Sequence, residues 1–287
     1  MSVHRHHNIR HLKAVLLGNG SRAGVLEGIA KLRPELEQLV TIVDSDYTGR
    51  EDMSSVNADF AIVFGGDGSI LRAVHQLGRN QIPVLAVNLG SLGFLSSMNP
   101  DELIPFLKTP DFSHFSIREQ VLLECSLIRK ANGHKPEQCL ARRLVVNEVA
   151  LLGGPPFNIL HIELKVDGDA VTTYRGDGLI ISTPVGSTAH SLSAGGPILR
   201  KDLNAVIILP INPHTLNNRP VIDSANRIYE LAVLDRDVHL VIDGDSSLVT
   251  TPEDRVVIQK APVTFKMIRI PGRSYYRTLR EKLGWNH

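Results

Sequence analysis

The chain is poor in cysteine: Cys125 and Cys139 are the only two in 287 residues. That is too few for a disulfide framework or a four-thiolate metal site, and it fits a reducing compartment. Charge of one sign is also lacking. Lys plus Arg number 31 against 30 for Asp plus Glu, a net charge of +1, so no global field selects nucleic acid or an anionic membrane. Any anion must be held locally. No run approaches the roughly 20 apolar residues that span a bilayer. The first residues carry His4, His6, His7 and His11 rather than an apolar core with a cleavage site; these histidines offer donors for a stray metal but read as a polar tail. No internal repeat and no low-complexity linker is visible. The expectation is a cytoplasmic protein with neither nucleic-acid nor membrane partners. With 43% hydrophobic and 21% charged residues, the composition suits a globular protein, long enough for two domains.

What is present starts with Gly65-Gly66-Asp67-Gly68-Ser69, between a strand expected over Asp59 to Phe64 and a helix marked by Ile70, Leu71, Val74 and Leu77. Three glycines in four positions admit dihedrals that a Cβ forbids and let a ligand approach the main chain. The helix aims its unpaired amides and positive dipole end at the same spot, which suits a phosphate. A carboxylate there is anomalous. Asp67 either caps the helix or stands beside a phosphate as a general base, as phosphoryl transfer to a hydroxyl requires.

Around this stretch the first hundred residues alternate strand and helix. Strands are expected over Lys13 to Leu17, Leu39 to Val43 and Val84 to Asn88, and helices over Ala23 to Leu32 and Asp101 to Leu107. Asp44 lies some two dozen positions beyond the turn Gly18-Asn19-Gly20-Ser21, as a ribose-binding acid does in dinucleotide folds, but the full Gly-x-Gly-x-x-Gly is absent. Ligands of such parallel sheets bind at the C-terminal ends of the strands.

Beyond that the pattern changes to short β-branched runs: Val121 to Arg129, Arg143 to Leu152, Ile159 to Val166, Ala170 to Tyr174, Ala205 to Leu209, Ile228 to Leu234, Val238 to Ile242, Val256 to Ile258 and Thr264 to Ile270. Asn132-Gly133 and Asp167-Gly168 are hairpin signals. The fold class is therefore α/β plus all-β: an N-terminal Rossmann-like α/β domain over residues 1–100, and a C-terminal antiparallel β-sandwich over 101–272. A helical segment, Tyr275 to Trp285, is expected to bring residues 273–287 back onto the first domain.

Three clusters in the β region are too polar for plain turns. They are Asn147-Glu148 at a strand end, Arg175-Gly176-Asp177-Gly178, and the run Gly186-Ser187-Thr188-Ala189-His190-Ser191-Leu192-Ser193 before Gly195-Gly196. Small and hydroxylic residues can follow a ligand closely and donate to ribose or phosphate oxygens; a plain Ser-rich loop has the same composition.

Together these residues carry a resemblance. Gly65 to Ser69, Asn88-Leu89-Gly90 with Leu92-Gly93-Phe94, Asn147-Glu148, Asp177-Gly178, Gly186 to Ala189, and Pro213-His214-Thr215-Leu216 with Arg219-Pro220 stand in the order and spacing of the bacterial NAD kinases. The chain resembles that family from about Lys13 to Trp285. The Asn147-Glu148 pair and the Gly186 loop separate it from the lipid kinases, which share the double-glycine-aspartate motif.

The resemblance implies ATP-dependent phosphorylation of the adenosine ribose 2′-hydroxyl of NAD, giving NADP. It makes Asp67 the catalytic base and Gly65, Gly66, Gly68 and Ser69 the phosphate site. It assigns NAD contacts to Gly68, Arg72, Phe94, Asn147, Glu148, Arg175, Asp177, Thr188, Ala189, His190, Ser191, Ser193 and Asp245. It implies Mg²⁺ with ATP and a homodimer or homotetramer formed through the sandwich domain, with a site completed by a neighbouring subunit. Ser69 stands where Thr is usual, Val185 replaces a common Thr, His190 replaces Tyr, and Asp245 takes a position that is often Gln. A lipid kinase, a non-catalytic dinucleotide binder and a hydride-transferring dehydrogenase are the competing readings. Retention of Asp67 argues against a pure binder, which gains nothing from a carboxylate beside phosphates.

Overall fold

The computed structural model describes residues 12–90, 93–95, 98–109, 115–133, 135–156, 158–215 and 218–285. The four N-terminal histidines, Leu92 and Leu216 lie outside the described residues. The chain folds as two units, one reaching Arg118 and resuming at Lys266, the other Glu119–Phe265. The sequence pattern puts these boundaries near residues 100 and 273. The difference in the first unit is α3 (Pro100–Leu107), whose Leu103, Ile104 and Leu107 join that unit's core.

In the first unit β1 (Lys13–Gly18), β2 (Thr41–Asp46), β3 (Phe60–Phe64) and β4 (Val84–Val87) form a parallel sheet in the order β2-β1-β3-β4. Such strands are buried on both faces and read as continuous apolar runs; β3 and β4 are buried at every residue. Ala14, Leu16, Phe60, Ile62 and Phe64 pack with Val25, Ile29 and Leu36 of α1 (Val25–Leu39) and with α3. On the other face α2 (Asp67–Leu77) contacts β1 and β3 through its buried stripe Ile70, Ala73, Val74 and Leu77. The strand order reverses direction between β1 and β3, so the loops after these two strands flank a crevice at the sheet's C-terminal edge. Leu39, which reads as the start of a strand, is instead the last residue of α1, which runs on through Pro34; β2 starts at Thr41. Near the C-terminus α5 (Tyr275–Leu283) belongs to this unit, with Leu279 buried and Arg273 ion-paired to Glu102 at 2.6 Å.

The second unit is a sandwich of mostly antiparallel sheets. One contains β5 (Ile117–Arg129), β6 (Gln138–Val145), β8 (Leu160–Val166), β9 (Asp169–Gly176), β13 (Tyr229–Val233) and β16 (Asp254–Ile268). The other has six strands, ordered β12 (Val221–Ser224), β11 (Ala205–Ile211), β10 (Gly178–Ser182), β7 (Glu148–Leu152), β14 (Val238–Ile242) and β15 (Asp245–Thr250). Between them lies a core that includes Leu123, Val149, Leu151, Ile162, Leu179, Tyr229 and Leu240. On its outer face the six-stranded sheet presents Ala150, Ile180, Ile207 and Leu209 to Leu199, and α4 (His190–Ser193) belongs to the segment on that side.

Three strand expectations are corrected. The run Arg143 to Leu152 is two strands in different sheets, broken at Val146-Asn147, because the Asp243 carboxylate accepts the amides of Val146, Asn147 and Glu148 at 2.8, 2.7 and 3.1 Å. The runs Val256 to Ile258 and Thr264 to Ile270 are parts of one strand, β16. Two strands, β12 and β15, are not marked by any apolar run; β15 exists because Asp243 and Gly244 take φ of 51° and 86°, a tight hairpin turn.

Candidate active site

In the first unit the site is built on the turn from β3 into α2. Gly65 has φ 134°, and a Cβ there would lie 2.9 Å from the Cβ of Ser69 and closer still to its Oγ. Only glycine lets the chain turn this tightly. Its N–H donates to Val87 O at 2.8 Å, which ties the turn to β4. Gly66 is the N-cap, so Asp67 is the first helical residue rather than the cap. The two oxygens of Asp67 accept the backbone N–H of Phe94 at 2.7 Å and of Leu95 at 2.9 Å. These two bonds fix the orientation of the carboxylate.

Around Asp67 is a cavity of about 400 Å³, walled by Gly65, Gly66 and Gly68, by Asn88, Gly90 and Gly93, and by Arg22 and Lys282. A Cβ on Gly68 or Gly90 would meet nothing within 4 Å, so the glycine walls leave the main chain open to a ligand. Asn88 shapes the second wall: its Nδ2 donates to Gly90 O at 3.0 Å and its Oδ1 accepts the Gly90 N–H at 3.1 Å. Ser69 is buried beneath the turn. Phe94 contributes its amide to Asp67, while its ring lies under the Lys282 ammonium, 5.9 Å from the centroid.

Arg72 is not part of this group. It packs against Gly49, where φ is 71°, and lines a separate cavity of about 670 Å³ with Asn19, Ser21, Tyr47 and Thr48. That wall is braced by Asp46, which accepts from Thr48, Arg50, Glu51 and Gln76. Burial works against its charge, but these bonds prevail and hold its pKa at about 2. Asp44 accepts a hydrogen bond from its neighbour Ser45.

In the second unit the candidate residues fall into two groups, one at each end of β10. At the Ser182 end, Thr183 N–H donates to Asn147 O at 2.8 Å and Thr183 Oγ1 donates to Val146 O at 2.6 Å. A Cβ on Gly186 would lie 2.5 Å from the carbonyl carbon of Asn147, so the 3-10 turn Gly186–Thr188 can seat only through a bare glycine. Ser187 is spent internally, donating to Pro184 O and accepting Leu199 N–H; Thr188 Oγ1 donates to Val185 O at 3.1 Å. Glu148 stands opposite Ser182 in the register, with the backbone of His190 nearby. Its Oε2 is buried with no partner. Burial, then the neighbouring Asp243 charge, push its pKa up to about 8. Ser191 Oγ is also buried without a partner, while the side chains of His190 and Ser193 are exposed and Ala189 is half-buried. Asp245 stands just past the Asp243-Gly244 turn, its Oδ1 accepting from Ser247.

At the other end, Asp177 Oδ2 accepts from Asn212 Nδ2 at 2.8 Å, and the carbonyl of Arg175 accepts the N–H of His214. The antiparallel register pairs Gly178 with Leu152 and Ser182 with Glu148. Arg175 and Asp177 are therefore not beside Glu148 but at least five strand residues away, about 15 Å or more at the usual rise. Sequence reasoning missed Arg22, Lys282, Asp243 and Asn212. Arg22 follows a glycine turn and had that signal; Lys282 had none.

Among the described residues no three His, Cys, Asp or Glu side chains cluster to hold a metal, and no helix is long and apolar enough to cross a membrane. Two family models match the chain: the ATP-NAD kinase N-terminal domain over residues 27–109 and the ATP-NAD kinase C-terminal domain over 146–270. An NAD kinase from Rhodopirellula baltica is 45% identical over 276 residues, 96% of this chain and 87% of the relative. One from Geobacter sulfurreducens is 42% identical over 232 residues, 80% of each chain. Among solved structures, an Archaeoglobus fulgidus NAD kinase in complex with ATP matches with a TM-score of 0.74 at 25% identity, over 96% of this chain and 100% of that one. A yeast NADH kinase complexed with NADH gives 0.84 at 23% identity, over 96% and 88%, which speaks to the fold alone. A chain matched by both domain models, and 45% identical to one relative over nearly its whole length, belongs to the ATP-NAD kinase family.

Proposed function

We propose that this chain phosphorylates NAD with ATP, giving NADP, and that Asp67 is the general base. The activity follows from the family; the observation that supports the base is the geometry of Asp67. Its carboxylate sits at the N-terminus of α2 inside a glycine-walled cavity, oriented by the amides of Phe94 and Leu95. In this reading the glycine turn and the α2 amides hold donor phosphates, and Asp67 takes the proton of the ribose 2′-hydroxyl as its oxygen attacks the γ-phosphorus. The bond to the leaving ADP oxygen breaks, and the proton passes from Asp67 to solvent.

Mg²⁺ enters as part of the nucleotide. The cavity's one carboxylate is already engaged by two amides, which fits an ion carried by substrate phosphates rather than held in a protein cage; bound there it neutralises charge on the transferred group. In the second unit, the unpartnered Glu148 oxygen and the Asn147 turn are assigned to ribose and amide contacts of NAD, and the Asp177 end of β10 to its more distant half. Self-association through the second unit is part of the same reading: the edge strands expose Val221, Ile222 and Val249. The test is incubation with ATP, Mg²⁺ and NAD, with product read by an NADP-specific dehydrogenase. Formation of NADP supports the reading; its absence under saturating substrates overturns it.

A further inference from the structure

The C-terminal helix carries a residue that no motif contains. α5 is held by slight means: Leu279 is its one buried side chain, and Arg273, just before it, pairs with Glu102. Glu102 is itself fixed by the capping box of α3, where it accepts the N–H of Asn99 at 2.7 Å. From this position α5 directs Lys282 into the wall of the Asp67 cavity, its ammonium over the Phe94 ring. Arg22, from the loop after β1, reaches the opposite glycine wall; a Cβ on Gly66 would lie 3.8 Å from its guanidinium nitrogen.

These two cations differ from others in the unit. Lys31, Arg33, Lys108, Arg273 and Arg277 each have a carboxylate partner. Arg22 and Lys282 have none among the described residues, and Lys282 has only the weak attraction of a ring face. Two uncompensated cations facing one cavity repel each other and gain nothing in the empty protein. With the α2 dipole they form a field that a polyanion would satisfy. The cavity's one carboxylate is turned toward the amides of Phe94 and Leu95.

Resting on the kinase reading, we propose that Lys282 and Arg22 are ligands of the donor's triphosphate chain, and that α5 is a clamp which donor binding tightens. Lys282 meets phosphate oxygens rather than the base, because its ammonium faces the same cavity as the α2 amides. The contact is electrostatic and non-covalent, and it raises donor affinity without a role in proton transfer. A helix docked by one buried side chain lies at the low end of local stability, so a new charge-assisted bond at Lys282 orders the whole of Tyr275–Leu283.

Calorimetric titration of the full chain with Mg²⁺–ATP and, separately, with tripolyphosphate tests this without any acceptor present. Lys282→Met is expected to weaken both ligands by about 10- to 100-fold, the worth of one charge-assisted hydrogen bond. Lys282→Arg should recover most of the loss, and Arg280→Met on the same helix should change neither. Arg22→Met should behave as Lys282→Met. In turnover, Lys282→Met should raise KM for ATP by a similar factor and leave KM for NAD within about twofold. Hydrogen exchange adds a readout of the clamp: ATP should protect the amides of 275–283 in wild type and not in Lys282→Met. Unchanged affinity for both ligands in Lys282→Met overturns the assignment, and so does a loss confined to ATP, which would place Lys282 at the nucleoside. A wild-type chain that binds neither ligand overturns the kinase reading itself.

Discussion

Raising the pH from 5 to 8 should weaken the fold, and Glu148 is the group responsible. Its carboxyl is buried, one oxygen lacks a partner, and Asp243 places a like charge beside it. Burial and then Asp243 lift its pKa from 4.5 to about 8. Between those two values the folded chain keeps a proton that the unfolded chain has released. Fewer protons on the unfolded state means that stability falls as pH rises. The slope is at most about 1.4 kcal/mol per pH unit, so pH 5 to 8 spans a loss of order 2–4 kcal/mol. Asp46 acts in the opposite sense and outside this window, since a pKa near 2 makes its contribution fade only as pH drops below about 4. Urea denaturation at pH 5, 6, 7 and 8 measures the slope directly. Glu148→Gln keeps the side chain's shape and cannot ionise, so its curve should be flatter and the variant more stable than wild type at pH 8. Parallel curves for the two proteins would refute the reasoning. A ribose hydroxyl donating to Oε2 favours the ionised form, so NAD binding at pH 7 should release a proton, visible by calorimetry in buffers of different ionisation enthalpy.

Asp67→Asn should lower kcat by about 10² to 10⁴, the worth of a positioned general base, while KM for NAD stays within a few-fold. It also turns an amide N–H₂ toward one of the Phe94 and Leu95 donors, so a melting scan should show a loss of about 1–3 kcal/mol. Gly186→Ala forces a Cβ into the Asn147 backbone and should cost about 1–3 kcal/mol, with KM for NAD rising because the Asn147-Glu148 turn must shift. Light scattering on active protein should give the mass of a dimer or tetramer; a monomer would remove self-association from the proposal.

The α/β unit is legible in the sequence because its signals are local. Buried parallel strands read as apolar runs, and Gly65 marks its turn by a backbone that favours glycine. What the sequence hides depends on distant partners. Nothing in Arg143 to Leu152 says that the run breaks at Asn147; the break is made by a carboxylate 96 residues further on, at Asp243. β15 opens on Asp245-Ser246-Ser247, a polar stretch that becomes a strand only through the turn before it and its pairing with β14. Leu39 reads as the start of a strand because it adjoins the apolar run to Val43, yet α1 continues through Pro34 to bury Leu36 and ends at Leu39. In the site, glycines and Asp67 announce themselves by composition, whereas Lys282 is one of several charged residues on an amphipathic helix. Its position follows from how α5 docks.

Phosphorus NMR of a reaction containing the protein, ATP, Mg²⁺ and NAD tests the central claim most directly, because it reports both the transfer and the hydroxyl that receives it. A phosphomonoester on the adenosine 2′-oxygen should grow in as ATP becomes ADP with wild-type protein, and about 10² to 10⁴ times more slowly with Asp67→Asn. No 2′-monoester with wild type, or equal rates for the two proteins, would contradict it.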